Sequence, residues 1–138
     1  MRLGYLILYV TDVPAAVAFY ERAFGLQLRM QHGEDYAEMR TGTGRLDAPG
    51  TPEGCTLAFA SHTLAESNGT PFDTGTRPPM ELALLADDVP AAFDRAIDAG
   101  CEAVSEPATK PWGQVVAYVR DAEGFLVELC TPVVPPTT

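Results

Sequence analysis

Two carboxylates are the residues in this chain most suited to chemistry. Glu81 stands in Met80-Glu81-Leu82-Ala83-Leu84-Leu85 and Glu128 in Phe125-Leu126-Val127-Glu128-Leu129-Cys130. Each is surrounded by apolar residues in a short run that reads as a strand. In a strand, alternate residues share a face, so Glu128 lies with Leu126 and Cys130 while Phe125, Val127 and Leu129 line the other side. An unpaired buried carboxylate is expensive, so each acid must be paired, protonated, or set in a polar cavity. The plainer alternative is an ion pair with an arginine such as Arg2 or Arg120. If both acids project into one cavity, charges about 5 Å apart repel by roughly 3 kcal/mol at an effective dielectric near 20. Such a pair shares a proton, holds a cation, or receives an amine or guanidinium from a ligand.

Other residues offer less. Trp112, in Lys110-Pro111-Trp112-Gly113 before a strand, suits a rim aromatic that stacks on a ligand, or one that caps the core. Met39, Phe59 and Tyr118 are candidates for a pocket wall or for simple core. Tyr5 shares a strand face with Leu3, Ile7 and Tyr9. His32 and His62 are the two histidines; neither stands with a second histidine at ligand spacing, and both read as surface residues. No Ser-His-Asp or Cys-His arrangement is legible. Thr41-Gly42-Thr43-Gly44 matches none of the full phosphate-loop fingerprints.

The elements that must position these residues come twice. Tyr9-Val10-Thr11-Asp12-Val13-Pro14-Ala15-Ala16 returns as Leu85-Ala86-Asp87-Asp88-Val89-Pro90-Ala91-Ala92, an internal repeat of the kind that governs a whole fold. In each copy a short apolar strand, Leu3 to Val10 or Glu81 to Ala86, runs into a helix. Asp12 or Asp88 supplies the cap and Pro14 or Pro90 the first turn. Val13, Ala16, Val17, Tyr20 and Phe24 fall on one helical face, as do Val89, Ala92, Phe93, Ala96 and Ile97. Gly25 and Gly100 suit left-handed helix stops. Strands then follow: Tyr36 to Thr41 and Cys55 to Ala60 around a long loop, Gly42 to Gly54; and Gln114 to Arg120 and Phe125 to Cys130 around a hairpin turn, Asp121-Ala122-Glu123-Gly124. The expected organisation is one α+β domain over residues 1–138, with a first βαβββ module at 1–62, a linker at 63–79 and a second module at 80–132. The Pro-Pro-Thr-Thr ending reads as a tail. Two such modules can form a curved mixed-sheet cup with helices outside.

Composition narrows the partners. The chain of 138 residues carries 9 basic and 19 acidic side chains, a net charge of -10. A phosphate backbone would be repelled, so nucleic acid is not an expected partner, whereas a cation would be attracted. No apolar run approaches the roughly 20 residues of a membrane helix. The opening Met1-Arg2-Leu3-Gly4 lacks the pattern of a secretion signal, and a cytoplasmic location is expected. Cys55, Cys101 and Cys130, an odd number at no metal-like spacing, read as buried free thiols rather than a disulfide or zinc framework.

The opening run Leu8-Tyr9-Val10-Thr11-Asp12-Val13, with Ala18-Phe19-Tyr20-Glu21-Arg22-Ala23-Phe24-Gly25-Leu26, resembles the start of a vicinal oxygen chelate protein. The closing run Tyr118-Val119-Arg120-Asp121-Ala122-Glu123-Gly124-Phe125-Leu126-Val127-Glu128-Leu129 is similar to that family's end. The resemblance, to the glyoxalase / bleomycin resistance protein / dioxygenase superfamily, covers nearly the whole chain. Metal-using members place a ligand early in the first strand of each copy, often His, and another on the last strand, often Glu. By resemblance these positions fall on Tyr5, Ala58, Glu81 and Glu128, so an expected His, Glu, His, Glu reads Tyr, Ala, Glu, Glu. Alanine offers no donor, and tyrosine binds the usual divalent ions poorly unless ionised.

The resemblance therefore implies a protein that binds a small cationic or aromatic molecule, as drug-resistance members do, with Tyr5, Glu81, Glu128, Trp112, Phe59, Met39 and Tyr118 around the ligand. No cofactor or tightly held metal is expected. The alternative is a metal-dependent or metal-free lyase or isomerase resembling lactoylglutathione lyase, or a dioxygenase-like enzyme. In it Glu128, with Glu81, would hold a divalent metal, or Glu81 would act as a base. The resemblance also implies a homodimer.

Overall fold

The computed structural model describes residues 4–40, 55–68, 70 and 80–132. Leu3, Arg2, Thr41-Gly42-Thr43-Gly44, the loop from Gly42 to Gly54, most of the expected linker and the Pro-Pro-Thr-Thr tail lie outside these residues.

Two mixed four-stranded sheets carry the fold, one for each copy of the repeat. In the first, β1 (Tyr5–Val10) leads to α1 (Val13–Phe24), then β2 (Gln27–His32), β3 (Tyr36–Arg40) and β4 (Thr56–Ser61). In the second, β5 (Leu82–Leu85) leads to α3 (Val89–Asp98), then β6 (Glu102–Thr109), β7 (Val115–Arg120) and β8 (Leu126–Cys130). The strand orders are β1-β4-β3-β2 and β5-β8-β7-β6. The last strand of each copy thus lies in the middle, parallel to the first strand and antiparallel to the third. This arrangement follows from the crossover helix, because a parallel pair needs a long connection and antiparallel neighbours need only a turn.

The repeated cap works alike in both copies. The Asp12 carboxylate accepts from the Ala15 N–H at 2.9 Å, and that of Asp88 accepts from the Ala91 N–H at 3.0 Å. Each satisfies a donor the first helical turn cannot bond, and a proline sits just inside. Gly25 closes α1 at φ 68°, a left-handed position where a side chain would be strained. The second helix departs from expectation by one residue: its cap is Ala99 in right-handed conformation, and the positive φ of 110° falls on Gly100 just beyond.

One face of the first sheet packs against α1. Phe59 on β4 meets Tyr20 on α1 edge to face, with ring centroids 4.8 Å apart. Val13, Val17 and Ala23 of the helix and Leu8, Val10, Ala37, Met39 and Leu57 of the strands are buried with them. In the second unit Val89, Phe93 and Ala96 of α3 are buried, and so are Ala117, Val119, Val127 and Leu129 of the sheet. A third helix, α2 (His62–Ser67), was not anticipated and occupies the start of the expected linker. Ser61 nucleates it: its Oγ accepts from the Leu64 N–H at 3.0 Å and donates to the Asp35 carboxylate at 2.6 Å. No helix among the described residues is long and apolar enough to cross a membrane.

Candidate functional site

Strand register decides which side chains share the sheet face turned from the helix. In the second sheet Ala83 stands beside Glu128, and Glu128 stands opposite Tyr118, which stands opposite Ser105. Glu81, two residues before Ala83, belongs to the same face. A side-chain hydrogen bond joins the Glu81 and Glu128 carboxyls. It holds Glu81 protonated to higher pH than usual, aided by desolvation and by the negative charge of its partner. The two acids singled out from sequence therefore meet, and Glu81 is the one whose proton is held.

The surroundings of this pair are weakly polar and protonated. Burial raises the Tyr118 pKa, with the charges of Glu128 and Glu81 adding to it. Cys130, two residues from Glu128 on the same face, is likewise raised by burial and then by Glu128. The arginine pairings considered for Glu128 find no support in the described residues: the Arg120 guanidinium donates to the Gly124 carbonyl at 2.9 Å, across the β7–β8 turn. Arg2 lies outside them. That turn is held by the Asp121 carboxylate, which accepts from the N–H groups of Glu123 at 3.0 Å and Phe125 at 2.8 Å.

Trp112 lies in the β6–β7 turn and is 64% exposed, so it does not cap the core. Its indole N–H donates to the Gln114 side-chain oxygen at 2.9 Å, and the Gln114 amide donates to the Thr131 carbonyl at 2.7 Å. The ring is thus braced in an exposed position, at the end of the sheet where β8 finishes.

In the first sheet Tyr5 is 56% exposed on the face turned from α1. Phe59 and Met39 point the other way, into the core beneath α1, because they alternate with Ala58 and Glu38 along their strands. They do not share a face with Tyr5. His32 is the last residue of β2 and is exposed. His62 opens α2. Cys101 and Cys130 are buried, whereas Cys55 is partly accessible; burial, with the charge of Asp121, pushes the Cys101 thiol up to about 11.

Sequence reasoning missed Glu38. It stands opposite Ala58 on the face turned from the helix and is only 9% exposed. The Tyr36 hydroxyl, two residues earlier on the same face, donates to Glu38 Oε1 at 3.0 Å. Arg29 Nε approaches Oε2 at 3.8 Å. Burial and the Glu38 bond push the Tyr36 phenol up to about 12. The strand Tyr36-Ala37-Glu38-Met39-Arg40 alternates polar and apolar residues, so Glu38 reads as an ordinary solvent-facing position; its burial is a tertiary feature.

The model of the glyoxalase/bleomycin resistance protein/dioxygenase superfamily matches residues 2–129. The chain belongs to that superfamily. Solved structures agree in fold. A glyoxalase-related enzyme from Fulvimarina pelagi is 20% identical with a TM-score of 0.78, covering 100% of this chain and 93% of its own. A family enzyme from Burkholderia phytofirmans PsJN is 20% identical with a TM-score of 0.79, covering 97% and 100%. TioX from Micromonospora sp. ML1 is 25% identical with a TM-score of 0.67, covering 95% and 98%. No curated protein matches the chain in sequence.

The superfamily's metal centre is not supported by this donor set. The Ala58 side chain offers no lone pair, Tyr5 brings a phenol in place of an imidazole and is exposed, and the Glu81 carboxyl is engaged with Glu128. Among the described residues no group of three or more His, Cys, Asp or Glu side chains could hold a metal ion. The residues present do not fit a His/Glu/His/Glu centre.

Proposed function

We propose that this protein binds a small cationic or aromatic molecule against the helix-free face of the second sheet, with the Glu81–Glu128 pair as its polar anchor and without a tightly held metal. The hydrogen bond between the two carboxyls carries the reading. A carboxyl pair of which one member is held protonated to higher pH than usual can exchange that proton for the ammonium or guanidinium of a ligand, which bonds to both acids at once. The chain's net charge of -10 favours approach of a cation. Tyr118 on the same face and the braced Trp112 supply aromatic surface of the kind that covers the apolar part of such ligands. Drug-resistance members of the superfamily make this ligand class a natural one. Residence in the cytoplasm and a homodimeric state belong to the same reading.

The deciding experiment is Glu128→Gln, read by a binding titration with organic cations beside a thermal melt. Affinity for a cation is expected to fall about tenfold or more, the scale of a charge-assisted hydrogen bond. Stability should hold or rise, because a repelling charge is gone. Unchanged affinity would refute the anchor. A loss of several kcal/mol in stability would show instead that Glu128 is a structural ion-pair partner. Elemental analysis of untagged protein is expected to find substoichiometric zinc, nickel and iron; a full equivalent of any of them would overturn the metal-free part.

The raised Glu81 carboxyl also favours a second reading, a metal-free lyase or isomerase in which Glu81 removes a proton once ionised. Turnover of an α-hydroxythioester or related carbonyl substrate by metal-stripped protein, lost in Glu81→Gln, would select it.

A further inference from the structure

The crossover helix of the second unit does not cover its sheet evenly. α3 packs mainly on β7, then on β6 and β8. Its buried residues Val89, Phe93 and Ala96 serve that contact. β5 lies at the sheet edge beyond β8, and its helix-side residue Leu84, level with Leu129, stays half-buried. Ala91 and Ala92 on the flank of α3 carry only methyl groups, too short to close the gap. A cavity of about 240 Å³ results. Leu84, Ala86 and Leu129 line it from the sheet, Ala91 and Ala92 from α3, and Phe24 from the end of α1. All lie in the second compact unit, which takes in Arg22–Phe24. Leu84 and Leu129 alternate with Ala83 and Glu128, so the cavity lies on the sheet face opposite the Glu81–Glu128 pair.

One residue interrupts the apolar lining. Among the described residues around the cavity, Arg95 alone carries a charge. Its Nε donates to the Arg22 carbonyl at 3.0 Å, and Arg22 Nη2 donates to the Ala99 carbonyl at 3.4 Å. The first bond fixes the guanidinium beside the end of α1. Asp94 and Asp98, the acids nearest to Arg95 along the helix, line a neighbouring and more open hollow with Arg22 rather than this cavity. A guanidinium matches a carboxylate as a planar fork. An apolar cavity with one such cation in its wall therefore selects an anion that carries an apolar body.

We propose that this cavity is a binding site for a compact aliphatic monocarboxylate, with the carboxylate on Arg95 and the chain laid over Leu84 and Leu129 against Phe24. The volume sets the size of the ligand. It falls just short of the range of about 300–1,000 Å³ usual for drug-sized molecules, so a chain of roughly six carbons is suited to it. The site differs from the cation site proposed above in sheet face, in charge preference and in every residue, and does not depend on it.

Titrating 15N-labelled protein with sodium hexanoate, with hexan-1-ol and hexylammonium chloride as controls, tests this. Saturable amide shifts are expected at Leu84, Ala92, Arg95 and Leu129 with hexanoate. The alcohol should bind there about tenfold more weakly or worse, the scale of a hydrogen bond to a charged group, and the ammonium should leave these amides unmoved. Arg95→Gln should weaken hexanoate by a similar factor. Ala92→Leu fills the cavity and should abolish the shifts, whereas Glu128→Gln should leave them unchanged. Either of the first two variants decides the matter if the other fails to fold. Absence of saturable shifts with hexanoate would overturn the proposal. So would equal binding of either control, undiminished binding to Arg95→Gln, or shifts that persist in Ala92→Leu. Shifts at these amides that follow protein concentration without ligand would also overturn it, and would mark the cavity as a contact between copies of the chain.

Discussion

At the scale of single residues the chain places three acids on sheet faces and gives each a different partner. Glu128 meets Glu81, Glu81 is held protonated by that meeting, and Glu38 is held by a tyrosine. The Glu81 bond makes stability depend on pH in a definite direction. Its folded-state pKa lies above the ordinary 4.5, so its contribution is fully present below 4.5 and is lost as pH rises through the higher folded value. The difference in melting temperature between wild type and Glu81→Gln should therefore shift against the wild type as pH rises from about 4 to about 7, since residue 81 can ionise only in the wild type. A difference that stays flat across that range would mean that the two carboxyls are not coupled. Glu81 is exposed at the edge of its sheet, so the slope will be modest and is best read at low ionic strength.

Elements impose the next level of order. Each crossover helix is started by an aspartate and a proline and packs its apolar stripe on one face of its own sheet, which leaves the opposite face to carry polar function. The caps are equivalent in geometry, at 2.9 and 3.0 Å, and should be equivalent in energy. Asp12→Ala and Asp88→Ala are each expected to destabilise by about 1 kcal/mol in urea unfolding, with Asn restoring most of the loss. A negligible change for either would show that the helix is held by packing alone. The α2 helix carries a related lesson. Ser61 ends β4 and begins α2 with one hydroxyl, and its bond to Asp35 ties that junction to the β2–β3 turn. A single serine in a stretch rich in small polar residues reads as loop, because six residues are too few to show helical periodicity.

For the molecule as a whole, two sheets of identical strand order and a family match from residue 2 to 129 fix the architecture. Among the described residues each sheet ends in strands paired on one side, β1 and β2 in one and β5 and β6 in the other. Such edges are templates for pairing with another chain unless something covers or blunts them. The β-bulges at Leu28/Met30 in β2 and around Ser105 in β6 blunt the outer edges, leaving β1 and β5 the better candidates for association. Light scattering at micromolar concentration should return twice the chain mass of 14.8 kDa. A value equal to one chain would count against a homodimer.

The sequence by itself determined the duplicated strand–helix–strand order, the capped helix starts, the family and the importance of Glu81 and Glu128. These are local or repetitive signals: periodicity, a cap followed by proline, and a charge that interrupts an apolar strand. Tertiary structure alone decided which residues face one another. Phe59 and Met39, plausible pocket residues by type, were turned into the core by strand alternation once β4 was fixed in the middle of its sheet. Trp112 was left outside by the bond of its indole to Gln114. Glu38 was set between Ala58 and Met30 by strand pairing, on the face turned from the helix, and is buried there. Register across a sheet joins residues far apart in the chain, and a one-residue slip would exchange its two faces. No local pattern encodes that choice; it is made when all four strands bury their apolar faces together.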